Sequence, residues 1–132
     1  MTALSADIIP YAKTVGIELI EATPERVTGR LLVRPEICTT GGALHGEAVM
    51  SLADTLGAIG AYLSLPPGAA GTTTLESKTN FLGAAKSGTT VTAESTPVHK
   101  GRRTSVWQTK ITGEDGKAVA LVVQTQMVLN AS

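Results

Sequence analysis

The spacing of apolar residues in the middle of the chain predicts one long helix. Five large apolar side chains recur there at intervals of three or four residues: Val49, Leu52, Leu56, Ile59 and Leu63. At 100° per residue these positions lie on one helix face, so we expect a helix over 45–63, about 28 Å long. Most of its remaining surface carries very small side chains: Ala48, Ala53, Gly57, Ala58, Gly60 and Ala61. Such a slim helix allows close packing by a sheet that wraps around it.

Strand patterns occupy most of the remaining chain. Alternating or Thr- and Val-rich segments, separated by Gly, Pro or charged turns, predict six strands: 16–21, 26–33, 72–81, 89–98, 104–112 and 118–129. The turn at 114–116 predicts a hairpin. The last strand has apolar residues on both faces, which predicts a central strand covered on both sides. A weakly amphipathic stretch at 3–13, interrupted by Pro10, predicts a short first helix.

Together these elements predict an α+β fold in which an antiparallel sheet covers one buried helix. The chain has 132 residues, a length that suits one domain and can bury a sizeable core. Neither a repeat nor a linker divides it. We therefore expect a single domain over 1–132.

Charge and composition exclude several classes of function. The 11 Lys and Arg residues balance 11 Asp and Glu residues, so there is no general attraction to nucleic acid or to an anionic membrane. One cysteine, Cys38, and two histidines provide neither a disulfide nor a metal-binding spacing. The chain has no apolar run long enough for a membrane span, and its N-terminus has no secretory pattern. We expect a cytoplasmic protein without a metal.

The start of the long helix is a candidate site. Gly46 lies where backbone N–H groups lack partners and where the helix dipole favours negative charge. Without a side chain, this residue lets a ligand approach the backbone closely, which predicts an oxyanion hole. The alternative is a glycine that only accommodates the entry of the chain into the helix.

A second candidate is Asp54, since aspartate is unfavourable in the middle of a helix. Glu47 shares its face, together with Ser51 and Ala58. Apart from Glu47 and Asp54, this face carries only Ser and Ala and none of the other Lys and Glu residues that usually cover an exposed helix, which favours packing against another surface. The alternatives are a solvated polar face and, for Glu47, a first-turn acid that the dipole stabilises.

The spacing of the two candidates constrains how they cooperate. Gly46 and Asp54 are eight residues apart, about 12 Å along one helix, so one reacting carbonyl cannot contact both. Either they act separately, or Asp54 meets the Gly46 of a second, antiparallel copy across a two-fold axis.

Four short segments carry a family resemblance: His45-Gly46, Leu52-Ala53-Asp54, Asn80-Phe81-Leu82 and Gly101-Arg102-Arg103. In order and spacing they resemble the hotdog-fold acyl-CoA thioesterases, in the branch of the phenylacetic-acid degradation and 4-hydroxybenzoyl-CoA enzymes. The resemblance runs from about residue 16 to residue 129. It implies a sheet wrapped around one long central helix and hydrolysis of an acyl-CoA to free acid and CoA. Asp54 is then the nucleophile or general base, and the Gly46 amide of another subunit polarises the thioester carbonyl.

The resemblance also bears on four neighbouring residues. Glu47 stands where the family usually has a second glycine, and Thr39 stands where it often has Asn or Gln. Thr74 lies where some relatives carry a serine that orients water, so the resemblance implies assisting roles for both threonines. His45 either belongs to the site or only orients its loop.

A basic segment, Lys100-Gly101-Arg102-Arg103, is the candidate site for the CoA phosphates; the alternative is a solvated hairpin turn. The resemblance implies no cofactor beyond the CoA of the substrate, and a homodimer that pairs into a homotetramer. The rival hypothesis is a non-catalytic acyl-CoA-binding or regulatory hotdog domain, which would not need Asp54. An enoyl-CoA hydratase is disfavoured because no Asp/His signature is visible.

Overall fold

A computed structural model describes residues 5–130, which form one antiparallel sheet and one long helix. The six strands follow the chain as β1 to β6: Glu18–Thr23, Arg26–Leu32, Ala69–Phe81, Thr90–Lys100, Thr104–Thr112 and Ala118–Asn130. Their order in the sheet is β1-β2-β4-β5-β6-β3, and all neighbouring pairs are antiparallel. Helix α1 spans Pro10–Val15 and helix α2 spans Gly46–Leu63. The predicted α+β architecture is confirmed.

Helix α2 contacts every strand of the sheet and forms the centre of the core. Of its predicted apolar residues, Val49, Leu52, Leu56 and Ile59 are buried, and Leu63 packs against them. A residue without a side chain is needed at Gly60, because an added Cβ would overlap with the ring of Trp107. Trp107 is fully buried, so the slim helix admits the largest side chain of the core.

Strand β6 lies between β5 and β3, but within residues 5–130 its second face is covered only in part: Val119 is buried, and Leu121 and Val123 are half-buried. Ala120, Val122 and Val128 are buried on the helix side, whereas Met127 and Leu129 are each 41% exposed on strand β6. The sequence-based prediction of cover on both faces is therefore wrong for the single chain.

The N-terminal segment also differs from the prediction of one helix over 3–13. A 3-10 turn at Ala6–Ile8 comes first, and α1 then begins at Pro10. Proline suits the first position of a helix because its missing N–H would have no partner there. Pro10 therefore begins a helix instead of interrupting one; residues 3 and 4 lie outside the described part of the chain. Of the described helices, none is long and apolar enough to cross a membrane.

Candidate active site

Asp54 lies on α2 where the helix passes β3 and β6, and its side chain is held from both strands. The hydroxyl of Thr74 donates a 2.7 Å hydrogen bond to Asp54 Oδ1, and Gln124 Nε2 donates to the same oxygen at 3.1 Å. No residue within 5–130 donates to Oδ2. The carboxylate is partly buried, with one oxygen fixed and the other available, which does not fit a solvated polar face.

A cleft of about 390 Å³ opens beside this carboxylate, between α1, α2 and β3. Glu47, Ser51 and Asp54 all line it, so three of the four residues predicted to share a helix face lie along one cleft. Tyr11 of α1 forms part of its wall and accepts a 3.1 Å hydrogen bond from the Ser51 hydroxyl. The cleft gives a ligand access to Asp54.

The N-terminus of α2 presents one backbone amide that has no partner within residues 5–130. The N–H of Glu47 donates to His45 Nδ1 at 3.0 Å, and those of Ala48 and Val49 donate to the His45 carbonyl oxygen at 2.9 and 3.2 Å. Among the described residues, nothing accepts from the N–H of Gly46. His45 thus satisfies the first turn and leaves the Gly46 amide at the positive end of the helix dipole.

Gly46 lines a different cleft from Asp54. This second cleft, about 390 Å³, is walled by apolar side chains that include Leu44, Val49 and Phe81. A Cβ on Gly46 would lie 3.1 Å from the Phe81 ring, so the glycine keeps the space over its own amide open. One chain therefore keeps Gly46 and Asp54 in separate clefts. This separation agrees with the prediction from their spacing along the helix.

The remaining predicted residues at this end differ in their surroundings. Glu47 is strongly exposed, with its Oε1 3.9 Å from His45 Nε2. Thr39 lies in an exposed loop, where its N–H donates to the Ala43 carbonyl oxygen at 2.8 Å. Its side chain neither lines the Asp54 cleft nor bonds to Asp54. Of the two predicted assisting threonines, a single chain brings only Thr74 to the carboxylate.

The basic segment forms the turn between β4 and β5. Lys100 Nζ lies 3.4 Å from a carboxylate oxygen of Glu25, and the N–H of Gly101 donates to the Thr104 carbonyl oxygen at 2.8 Å. Arg102 and Arg103 are exposed and form no ion pair with any residue of the described chain. Both guanidinium groups are therefore available to a polyanion.

The basic turn is connected through β6 to the part of β3 that contacts Asp54. The carbonyl oxygen of Arg103 accepts a 2.7 Å hydrogen bond from the N–H of Val128, and Val128 pairs with Thr72 on β3. Thr72 is two residues before Thr74, the hydrogen-bond donor to Asp54. With neighbouring strands about 4.8 Å apart, the turn lies roughly 10 Å across the sheet from this part of β3.

Two site residues escaped the sequence analysis. Gln124 and Gln126 are each 1% exposed, and Gln126 Nε2 donates a 2.6 Å hydrogen bond to the Thr74 hydroxyl oxygen. The alternation along β6 contains the signal, because both glutamines fall in the same row as the buried Val122 and Val128. Two amides in an apolar row need polar partners.

Comparisons with known proteins identify the family and the fold of the chain. Residues 41–120 match the family model of the thioesterase superfamily. The chain is 32% identical over 109 residues to a 1,4-dihydroxy-2-naphthoyl-CoA hydrolase of Listeria monocytogenes, covering 83% of this chain and 87% of that relative. A thioesterase of Haemophilus influenzae has a TM-score of 0.84 at 30% identity, covering 91% of this chain and 82% of its own.

A hypothetical thioesterase of Streptococcus pneumoniae, whose structure contains coenzyme A, has a TM-score of 0.84 at 25% identity, with 94% and 95% of the two chains covered. The family model alone spans more than half of this chain. The similarity in sequence and the shared sheet-and-helix fold confirm the family and the hotdog fold indicated by the sequence. The chain belongs to the thioesterase superfamily, a family of thioester hydrolases.

Proposed function

We propose that the protein hydrolyses an acyl-CoA thioester to a free acid and CoA, with Asp54 as the reacting carboxylate. The observation that carries the proposal is the arrangement of this side chain: Thr74 and Gln124 fix Oδ1, and Oδ2 has no donor within residues 5–130. A fixed carboxylate beside an open cleft suits a general base or a nucleophile. The named activities of the Listeria and Haemophilus relatives support the same chemistry.

Two routes lead to the same products. As a general base, Asp54 takes a proton from water while the water oxygen adds to the thioester carbon, and the tetrahedral intermediate then breaks its C–S bond to release the CoA thiolate and the free acid. As a nucleophile, Oδ2 attacks that carbon and expels the CoA thiolate, and water then hydrolyses the resulting anhydride. In both routes the carbonyl oxygen becomes negatively charged, and the unpartnered Gly46 amide at the helix N-terminus would stabilise that charge.

We propose that each site takes its two halves from different copies of the chain. Asp54 and Gly46 line separate clefts of one chain, and a two-fold axis would supply both groups to two equivalent sites. Thr39, which lies outside the Asp54 cleft of its own chain, acts in this scheme from the second copy. A homodimer that pairs into a homotetramer remains part of the proposal.

Co-expression of two inactive variants tests the shared site. A dimer of one Asp54→Asn chain and one Gly46→Val chain keeps one intact site, formed by the unaltered Asp54 and the unaltered Gly46. Random pairing should restore about a quarter of wild-type turnover. Activity no higher than that of the separate variants would show that the two residues do not act across a dimer, as would light scattering that finds an active monomer.

The basic turn is proposed to bind the CoA phosphates through Lys100, Arg102 and Arg103, with Gly101 shaping the turn. Arg102 and Arg103 form no ion pair within residues 5–130, and their place at the end of the sheet nearest Thr72 suits a polyanionic group. The coenzyme A present in the Streptococcus structure supports a CoA substrate. Cytoplasmic localisation, and the absence of a further cofactor and of a membrane or nucleic-acid partner, stay part of this proposal.

Thiol release from a panel of aryl, short-chain and long-chain acyl-CoAs tests the function itself. We expect turnover of at least one substrate and its loss in Asp54→Asn. The rival hypothesis, a non-catalytic binding or regulatory domain, predicts calorimetric binding of acyl-CoA without thiol release. Saturable binding with no release from any member of the panel would therefore overturn the proposed hydrolysis.

A further inference from the structure

Two buried glutamines on β6 stand in a row that is otherwise apolar. Gln124 and Gln126 are each 1% exposed and lie on the helix side of the strand, between Val122 and Val128. Burial of a side-chain amide destabilises a fold unless hydrogen bonds replace those lost to water. A methionine or leucine would fill the same space without this penalty, so a packing role alone does not account for the two amides.

Hydrogen bonds direct both amides to one atom. Gln124 Nε2 donates to Asp54 Oδ1 at 3.1 Å. Gln126 Nε2 donates to the Thr74 hydroxyl oxygen at 2.6 Å, and that hydroxyl donates to Asp54 Oδ1 at 2.7 Å. The oxygen of the same amide, Gln126 Oε1, accepts a 3.0 Å hydrogen bond from the hydroxyl of Thr72. The carboxylate is therefore fixed from two strand positions through the same oxygen.

The helix makes room for this arrangement at Gly57. A Cβ on Gly57 would lie 2.8 Å from Gln124 Nε2 and would overlap with the other atoms of the amide group. Gln124 Oε1, which faces the same glycine, has no hydrogen-bond partner among residues 5–130. A buried acceptor without a partner is unfavourable, so the Gln124 amide is oriented for its donor, and the donor binds Asp54.

We infer that Gln124 is a positioning residue for thioester hydrolysis and that Gln126 assists it through Thr74. With two donors on Oδ1, rotation of the carboxylate is restricted and Oδ2 is held toward the reacting group. This inference rests on the proposed function, because Gln124 acts only through Asp54.

Gln124→Met tests the inference, since methionine keeps the length of the side chain and removes the amide. We expect kcat to fall by on the order of tenfold to a hundredfold from a misplaced carboxylate, with a smaller change in KM. The Tm should stay equal or rise, since the buried unpartnered acceptor is gone.

A structural role predicts the opposite combination. If Gln124→Met lowers the Tm but leaves kcat unchanged, the amide serves packing and the inference is overturned.

A matched pair of glycine variants tests the same point from the helix. Gly57→Ala displaces the Gln124 amide, whereas Gly60→Ala, one turn further on, meets the Trp107 ring instead. Both glycines are buried, so we expect both variants to lower the Tm. Only Gly57→Ala should lower kcat with little change in KM. An equal loss of kcat in both variants, or a loss in neither, would contradict the positioning role, and this pair gives an answer even if Gln124→Met does not fold.

A double variant separates failure of this inference from failure of the proposed function. If Gln124 acts through Asp54, adding Gln124→Met to Asp54→Asn should change the residual kcat by less than about twofold. A further tenfold loss would show that Gln124 acts elsewhere and would overturn the positioning role. Near-wild-type turnover of Asp54→Asn alone would instead overturn the proposed mechanism. An inactive Asp54→Asn beside an unaffected Gln124→Met would overturn only the positioning role.

Discussion

The two clefts along α2 offer a thioester two different kinds of chemistry. On one side the reactive group is a side chain, Asp54, fixed by polar residues of β3 and β6. On the other side it is a backbone amide, that of Gly46, surrounded by apolar walls such as Leu44 and Phe81. The first group is held in place by side chains that reach it from the sheet. The second is held in place by the helix itself.

This difference determines which substitutions can reveal each half. A carboxylate can be removed by one atom-for-atom replacement, whereas an amide can only be obstructed by a side chain placed near it. Loss of Asp54 should therefore remove a chemical step, and changes around Gly46 should weaken one interaction in the transition state.

The largest effect is expected at Asp54. Asp54→Asn keeps the size of the side chain and removes the base, so kcat should fall on the order of 10²- to 10⁴-fold with little change in KM. Turnover of the best acyl-CoA measures the effect, and circular dichroism checks that the variant is folded. Wild-type-like turnover would mean that Asp54 is only a polar helix residue, and Glu47 would then become the next candidate.

A smaller effect is expected in the apolar cleft. An alanine methyl at position 46 would lie 3.1 Å from the Phe81 ring and would narrow the approach to the amide. We expect Gly46→Ala to lower kcat/KM on the order of tenfold. Gly41→Ala is a matched control, since a Cβ at Gly41 meets no atom within 4 Å. Equal activities of the two variants would argue against an oxyanion hole at Gly46.

The basic turn should affect binding more than chemistry. Because Arg102 and Arg103 are exposed, replacing either by alanine should raise KM roughly two- to fivefold at low salt and leave kcat nearly unchanged. The increase should shrink at high salt as screening grows. Lys110→Ala, an exposed change near the other end of β5, is the control. Unchanged KM in both arginine variants would place the phosphates elsewhere.

The smallest effect is expected at Glu47, which lines the Asp54 cleft. A negative charge in the cleft disfavours the negative charge that develops on the thioester oxygen, so Glu47→Gln should raise kcat/KM, by less than about twofold because water screens an exposed carboxylate. Glu76→Gln, an exposed change on β3, is the control. An unchanged kcat/KM would leave Glu47 with only its role at the helix dipole.

The sequence predicts those features that depend on residues close to one another along the chain. The apolar row from Val49 to Leu63 predicts α2, and four of its five side chains are buried. Gln124 and Gln126 were missed because their partners lie 70 and 52 residues away along the chain. Which polar residues meet inside a sheet depends on strand order, and that order places β3 beside β6 instead of β4.

The outer face of β6 shows the other limit of the sequence. Apolar residues on both faces correctly indicate an interior strand, but they do not state what covers each face. Met127 and Leu129 are exposed in the single chain. At this end of β6, the apolar residues of the second face are therefore not buried by the described part of the chain itself.

The late position of β6 in the chain determines when during folding the acid acquires its partners. Strands β4, β5 and β6 are consecutive and pair as neighbours, whereas the Thr74–Gln126 contact closes a loop of 52 residues. Long loops close more slowly than hairpins. We therefore expect helix α2 and the hairpins to form first, with Asp54 still free to rotate. A nascent chain still without residues 118–130 would contain the whole helix but no oriented carboxylate.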